Sequence, residues 1–255
     1  MNQNVLITGA SSGIGLAIAF RLSQAGYRPL MLSFDEAELE VACGKVPGSQ
    51  RVLCDLALPE QVSGLLANLE ALHGPIDVLI NNAGIGHHGP VLDTSDEVFR
   101  RLMEVNFLAP VSLCRQALQL MGPRGHGQIL NLTSASARRP LARMGAYASS
   151  KAALHGFTQT LRMEAAPSGV RVLELLPISV STPFFERASN TSGSDYRPRG
   201  LCQTPEQLAE MTWQCLRSNR PETVSHGPTG WALGLDGLFP NWVARALEWW
   251  ERRQS

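Results

Sequence analysis

The chain has 255 residues, 44% of them hydrophobic and 17% charged, with 22 basic and 22 acidic side chains. That composition suits a soluble globular protein with one large core. The balanced charge argues against recruitment by nucleic acid or an anionic membrane surface. Five cysteines, an odd number without metal-ligand spacing, point to reduced, buried thiols and a cytoplasmic setting. The N-terminus enters an apolar run with no basic leader or small-residue cleavage pattern, and no run reaches the ~18 apolar residues of a membrane span.

Residues 5–7 predict a short buried strand, and the turn Thr8-Gly9-Ala10-Ser11-Ser12-Gly13-Ile14-Gly15 follows it. The next helix carries Ile18, Leu22 and Ala25 on one side and stops at Gly26. Further strands are predicted over 30–33, over 52–54 (closed by Asp55-Leu56) and over 76–80, the last opening into Asn81-Asn82-Ala83-Gly84. Thr94 and Glu97 form a capping-box pattern for a helix that turns Val98, Leu102 and Val105 inward and meets Asn106. A second helix spans about 111–120. Strands over 128–133 and 170–176 flank a helix over 147–165. Strands separated by helices of this length predict an α/β fold of one domain, 1–255: a doubly wound parallel sheet with helices on both faces and right-handed crossovers.

Past residue 178 the pattern breaks. A small, polar segment within 178–202 reads either as a loop over a site or as a surface insertion. Thr204-Pro205-Glu206-Gln207 then marks a helix start, with Pro at the first position and Gln at the third. The tail, about 240–253, predicts an amphipathic helix with Trp242, Val243, Leu247, Trp249 and Trp250 on its apolar face. It would pack on its own domain, meet another subunit or lie on a membrane surface.

Two stretches carry chemistry. Glycines 9, 13 and 15 lie between a strand and a helix, where backbone can approach a dinucleotide pyrophosphate and the helix N-terminus offers free N–H groups. Tyr147 and Lys151 stand four residues apart, so on a helix they share one face. A cation within about 4–6 Å favours phenolate, which would let Tyr147 exchange a proton near neutral pH. Such a pair is common in helices. Ser134, at the end of a strand thirteen residues earlier, is what makes it a candidate.

Taken together, Thr8-Gly9-x-x-x-Gly13-x-Gly15, Asn81-Asn82-Ala83-Gly84, Asn106, Ser134 and Tyr147-x-x-x-Lys151 resemble the single-domain branch of the short-chain dehydrogenase/reductase family, over residues 4 to about 183. The resemblance implies a Rossmann-type fold and hydride transfer between a nicotinamide dinucleotide and a carbonyl or secondary alcohol. It assigns Tyr147 as proton donor and acceptor and Lys151 as the residue that holds the nicotinamide ribose. Ser134 would bond the substrate oxygen, and Asn106 would shape the active-site helix and hold a relay water. The cofactor would meet Gly9, Ser11, Ser12, Gly13, Ile14, Gly15, Ser33, Asp55, Leu56, Asn82, Ala83, Gly84, Tyr147, Lys151, Pro177 and Thr182. By analogy the chain would form a homodimer or homotetramer and act on a small molecule, without a metal.

Two positions depart from the family pattern. Ile178 stands where the family has glycine, and a β-branched residue resists positive φ. Neither the usual aspartate at Ser33 nor a basic residue at Ser12 or Phe34 is present to read the adenosine ribose. Asp35 could turn to the ribose diol, favouring NAD(H). The small Ser33 leaves room for a 2′-phosphate and tips the balance to NADP(H). His87 and His88 read as a solvated loop or a substrate lining. Arg138, Arg139 and Arg143 read as exposed loop residues or attractors of an anionic substrate group. A rival to the enzyme is a dinucleotide-binding sensor or scaffold that does no turnover, although such a protein has no need of Asn106, Ser134, Tyr147 and Lys151 together.

Overall fold

The computed structural model describes residues 3–193, 202–218 and 220–239, with 241, 243 and 245 singly. The apolar runs form strands where the sequence places them: β1 (Asn4–Thr8), β2 (Arg28–Ser33), β3 (Gln50–Leu53) and β4 (Ile76–Asn81). Between them run α1 (Gly13–Gln24), α2 (Glu36–Lys45), the short α3 (Pro59–Val62) and α4 (Leu65–His73). A two-residue strand, β5 (His87–His88), precedes α5 (Asp96–Met103) and α6 (Ala109–Met121), which a π-type turn over Glu104–Leu108 joins. Then come β6 (Gly127–Leu132), α7 (Gly145–Ala165), β7 (Val170–Leu176), the single turn α8 (Phe184–Arg187) and β8 (Ser189–Asn190). The described chain closes with α9 (Pro205–Arg217), β9 (Glu222–Val224) and α10 (Gly227–Leu238).

Seven strands make one parallel sheet in the order β3-β2-β1-β4-β6-β7-β9. β1 and β4 lie side by side although four helices, α1 to α4, and two strands separate them in sequence. The strand order therefore reverses between them, which opens a crevice beyond their C-terminal ends. Central strands are buried on both faces, so they read as unbroken apolar runs: Val5, Leu6 and Ile7 in β1, Val78, Leu79 and Ile80 in β4. One core layer packs β1, β4 and β7 residues against α1 and α9 through Ile18, Leu22, Leu208 and Leu216. The other packs the opposite face against α4, α6 and α7 through Leu66, Leu69, Leu113, Ala117 and Leu161.

Local signals held to different degrees. Thr204 and Gln207 form the reciprocal capping box expected of α9. At α5, by contrast, Ser95 is the cap, its hydroxyl accepting from Val98 N at 3.3 Å, while Thr94 donates to the Pro90 carbonyl at 2.8 Å. The segment 178–202 is not a plain loop, since it contains α8 and β8, and β8 pairs in parallel with β5. His87 and His88 are consequently buried rather than solvated. His87 Nδ1 meets Ser189 Oγ at 2.8 Å and His88 Nδ1 meets Ser192 Oγ at 3.2 Å. The tail of 240–253, with Trp242, Leu247, Trp249 and Trp250, lies outside the described residues apart from the single positions noted.

Beneath the C-terminal half of α7 sits a buried acid that the sequence did not advertise. Glu174 of β7 accepts from Thr133 Oγ1 at 2.7 Å and pairs with His155 Nδ1 at 2.8 Å. Glu222 of β9 lies close, and Arg138 bonds it at 3.0 Å. The hydrogen bond to Glu174 holds the His155 imidazolium above its ordinary value of 6.5 against the opposing effect of burial, with help from the charges of Glu174 and Glu222 and against that of Arg138. A histidine whose folded value is raised stabilises the fold fully below its unfolded value and loses that contribution as pH climbs through the folded one.

Two outcomes follow from this packing. Leu79→Ala, at a fully buried position of β4, should lower unfolding stability by about 2–5 kcal/mol in urea titration, since it leaves a cavity in the core layer. His155→Gln should flatten the fall in stability that wild type shows as pH rises from 6.5, measured by thermal melts across that range. Parallel profiles would mean the pair contributes nothing.

Candidate active site

The residues expected at the site lie at the C-terminal edge of the sheet, in the π-type turn or on α7. Gly9, Ser11 and Ser12 form the turn after β1, and Gly13, Ile14 and Gly15 begin α1. Ser33 ends β2, Asp55 and Leu56 follow β3, and Asn82, Ala83 and Gly84 follow β4. Asn106 sits in the π-type turn, Ser134 follows β6, Pro177 and Thr182 follow β7, and α7 carries Tyr147 and Lys151.

The crevice is built by backbone proximity. Gly9 has φ +64°, a left-handed conformation. A Cβ on Gly15 would lie 2.1 Å from the Gly9 carbonyl oxygen and 2.6 Å from Asn82 Nδ2, so no side chain fits there. Asn82 Nδ2 donates to the carbonyls of Thr8 at 2.8 Å and Gly9 at 3.2 Å. Thr8 Oγ1 in turn accepts from the backbone N–H of Asn82 at 3.0 Å and Ala83 at 2.9 Å. Ser12 takes the N-cap position of α1 without its hydroxyl capping the helix. The first turn thus keeps the N–H groups and partial positive charge that suit a phosphate. Thr182 overlies this turn, its methyl carbon 3.3 Å from where a Gly13 Cβ would stand.

Beside the crevice, α7 and the π-type turn are tied together. Asn106 Oδ1 accepts from Ile85 N at 2.9 Å, and its Nδ2 donates to the Ile85 carbonyl and to Ser150 Oγ, both at 3.0 Å. Ser150 donates to the Tyr147 carbonyl at 2.7 Å. The Asn106 side chain is therefore spent on holding Ile85 and α7. Lys151 is buried and donates from Nζ to the Leu132 carbonyl at 3.0 Å, and burial pushes its ammonium down to about 8. A Cβ on Gly84 would lie 3.2 Å from Asn106 Oδ1 and 3.4 Å from Lys151 Nζ, which puts the turn after β4, the π-type turn and α7 at one point. Ser134 accepts from Ser136 N at 3.1 Å and from Ser136 Oγ at 2.8 Å, and Ala135 N donates to the Pro177 carbonyl at 2.9 Å. The Tyr147 ring packs edge-on against Phe184, centroids 5.7 Å apart, within an apolar group that includes Ile85, Val98, Phe99 and Met144.

Asp55 accepts from Ala57 N at 2.9 Å on the far side of β2, and Leu56 is buried in the core. Asp35 caps α2, accepting from Glu38 N at 2.9 Å, so its carboxylate is committed to the helix. Ile178 needs no left-handed backbone, because Arg143 is the one non-glycine with positive φ among the described residues. Its N–H donates to Ser225 Oγ at 3.0 Å. Arg138 and Arg139 are not loose at an entrance: they pair with Glu222 at 3.0 Å and Asp236 at 3.2 Å. Thr8 and Ser150 were not among the expected site residues. For Thr8 the signal was available, a hydroxyl directly before the glycine turn. For Ser150 there was none, since a serine in a helix says nothing of its neighbour.

A model of the family described as short chain dehydrogenase matches residues 3–193. The chain is 32% identical to dehydrogenase/reductase SDR family member 7B of Bos taurus, over 96% of its own length and 80% of that protein's. Among solved structures it resembles a short-chain dehydrogenase from Sphingobium yanoikuyae in complex with NADPH, with TM-score 0.82 and 26% identity over 95% of each chain. It also resembles a 3-ketoacyl-(acyl-carrier-protein) reductase from Brucella melitensis complexed with NADH, with TM-score 0.78 and 27% identity over 87% of this chain and 95% of the other. Seven parallel strands reversing at a glycine crevice, and sequence similarity running through that crevice to β7, lead to one conclusion: the chain belongs to the short-chain dehydrogenase/reductase family.

Proposed function

We propose that this protein is an NAD(P)(H)-dependent oxidoreductase that interconverts a carbonyl compound and a secondary alcohol, with Tyr147 as general acid and base. The observation that carries this reading is the meeting of Gly84, Asn106 and the buried Lys151 beside a crevice in which Gly15 has no room for a side chain. A nicotinamide dinucleotide fits that donor set, and relatives of this fold hold NADPH in one case and NADH in another. When bound, the cofactor supplies or takes up hydride.

The chain's own residues do the rest. The first turn of α1 and the backbone of Gly9, Ser11, Ser12 and Ile14 hold the phosphates, and Asn82, Ala83 and Gly84 line the adenosine side. Lys151, fixed by the Leu132 carbonyl, has ammonium hydrogens left to offer the nicotinamide ribose, and its charge favours negative charge on the Tyr147 oxygen. Tyr147 Oη gives its proton to the substrate oxygen in reduction and takes it back in oxidation. Ser134 Oγ bonds the same oxygen and stabilises charge that grows on it. Phe184, Ile85, Val98, Phe99 and Met144 around Tyr147 suit an apolar substrate and exclude water from the proton transfer. With Asp35 engaged as a helix cap, Ser33 is left at the ribose, which supports NADP(H).

The test is to follow nicotinamide absorbance with purified protein, each reduced cofactor and a panel of ketones and aldehydes. Tyr147→Phe should lower kcat on any accepted substrate about 100-fold or more, with cofactor affinity nearly unchanged. Equal rates for variant and wild type would remove the proton transfer from Tyr147. Gly15→Ala should abolish cofactor-induced thermal stabilisation, because its Cβ would collide with the Gly9 carbonyl.

A further inference from the structure

Arg187 ends α8, on the segment that follows β7, yet its guanidinium reaches back across the glycine turn. Nη2 lies 2.7 Å from Glu38 Oε1 and Nη1 lies 3.2 Å from Glu38 Oε2, a two-pronged grip on a carboxylate carried by α2. Nη1 also lies 3.3 Å from Ser12 Oγ, at the N-cap of α1. The same carboxylate receives Ser11 Oγ at 3.3 Å, and Ser33 Oγ donates to Ser11 Oγ at 3.0 Å. Guanidinium and hydroxyls therefore converge on one anionic group at the edge of the crevice.

As a stabilising ion pair this arrangement makes little sense. Arg187 is 54% exposed and Glu38 37%, and pairs so open to water contribute little to folding. A cation beside the N-terminus of a twelve-residue helix also stands at the repulsive end of its dipole, unless an anion is shared between them. At present Glu38 is that anion. A planar fork that grips a carboxylate with two parallel bonds grips a phosphate equally well.

We propose that Arg187 is a phosphate-binding residue of the dinucleotide site, and that Glu38 holds its place until a cofactor phosphate takes the guanidinium over. The inference rests on the dinucleotide reading of the crevice. It also supplies the cation that the sequence lacks at Ser12, Ser33 and Phe34. The phosphate is either the pyrophosphate on α1 or the 2′-phosphate of NADP(H), and the two are separated by comparing cofactors.

Calorimetric titration of wild type, Arg187→Gln, Arg187→Lys and Glu38→Gln with NAD+ and NADP+, at one fixed ionic strength, tests it. Arg187→Gln should weaken binding about tenfold or more, and Arg187→Lys should restore part of the loss. Losing both cofactors alike assigns the pyrophosphate, and losing NADP+ alone assigns the 2′-phosphate. Glu38→Gln should bind at least as tightly as wild type, because a competing anion is gone. Arg187→Gln within twofold of wild type for both cofactors overturns the proposal. So does a loss of both on Glu38→Gln as large as that on Arg187→Gln, which would make the pair a strut that positions α8. Wild type binding neither cofactor overturns the dinucleotide reading itself, and this inference with it.

Discussion

The amide of Asn82 is the tie on which the crevice depends. Its Nδ2 donates to two successive carbonyls, Thr8 and Gly9, at the point where β1 turns into α1. Thr8 answers by accepting from two successive amides, Asn82 and Ala83. Four bonds thus join the ends of neighbouring strands that lie more than seventy residues apart in sequence, and they fix the distance between two loops that no strand ladder reaches. Gly15 completes the arrangement, since α1 can begin only where its backbone touches the Gly9 carbonyl. A buried backbone oxygen without a partner is costly, so this turn is stable only with the asparagine in place.

From that fixed edge the second half of the site is positioned by different means. Asn106 is buried within a π-type turn, where the widened backbone lets α5 pass into α6 while the side chain faces away from both. Its three hydrogen bonds join the loop after β4 to Ser150, and Ser150 joins α7. Lys151 pins the same helix to the end of β6 through the Leu132 carbonyl. Two pins on one turn of α7 leave little freedom to the residue between the crevice and the apolar group around Phe184, which is Tyr147. Burying an ammonium is expensive, and burial pushes that of Lys151 down to about 8.

Much of this was legible in the residues, for reasons that also explain what was not. Strands buried on both faces carry continuous apolar runs, so β1 and β4 could be read directly, and the glycines between β1 and α1 mark a contact that leaves no space for Cβ atoms. β9 escaped notice because its three residues are partly exposed at the sheet edge and take their register from β7, not from any alternation of their own. His87 and His88 look solvent-facing in a run of glycines. Their burial comes from Ser189 and Asn190, a hundred residues on, which no local pattern records. Arg138 and Arg139 likewise find partners on β9 and α10. For these four residues the partner is a side chain or strand on a distant element, and no local pattern names it.

The same distinction applies around the start of α1. Position by position, Ser12, Ser33 and Phe34 offer no charge to read the adenosine ribose, and Asp35 Oδ1 caps α2. Taken as a folded surface, the region is far from blank. Ser11, Ser12 and Ser33 form a patch of hydroxyls around the Glu38 carboxylate, with Arg187 brought in by the segment after β7. A carboxylate alone among those hydroxyls would repel any nucleotide phosphate, and a guanidinium alone would sit badly at the start of α1. Each is tolerable because of the other, and a phosphate that took the place of the carboxylate would meet the guanidinium. On the proposal above, the guanidinium that a phosphate would meet comes from a residue 149 positions from Glu38 in sequence, and not from a side chain at the end of β2.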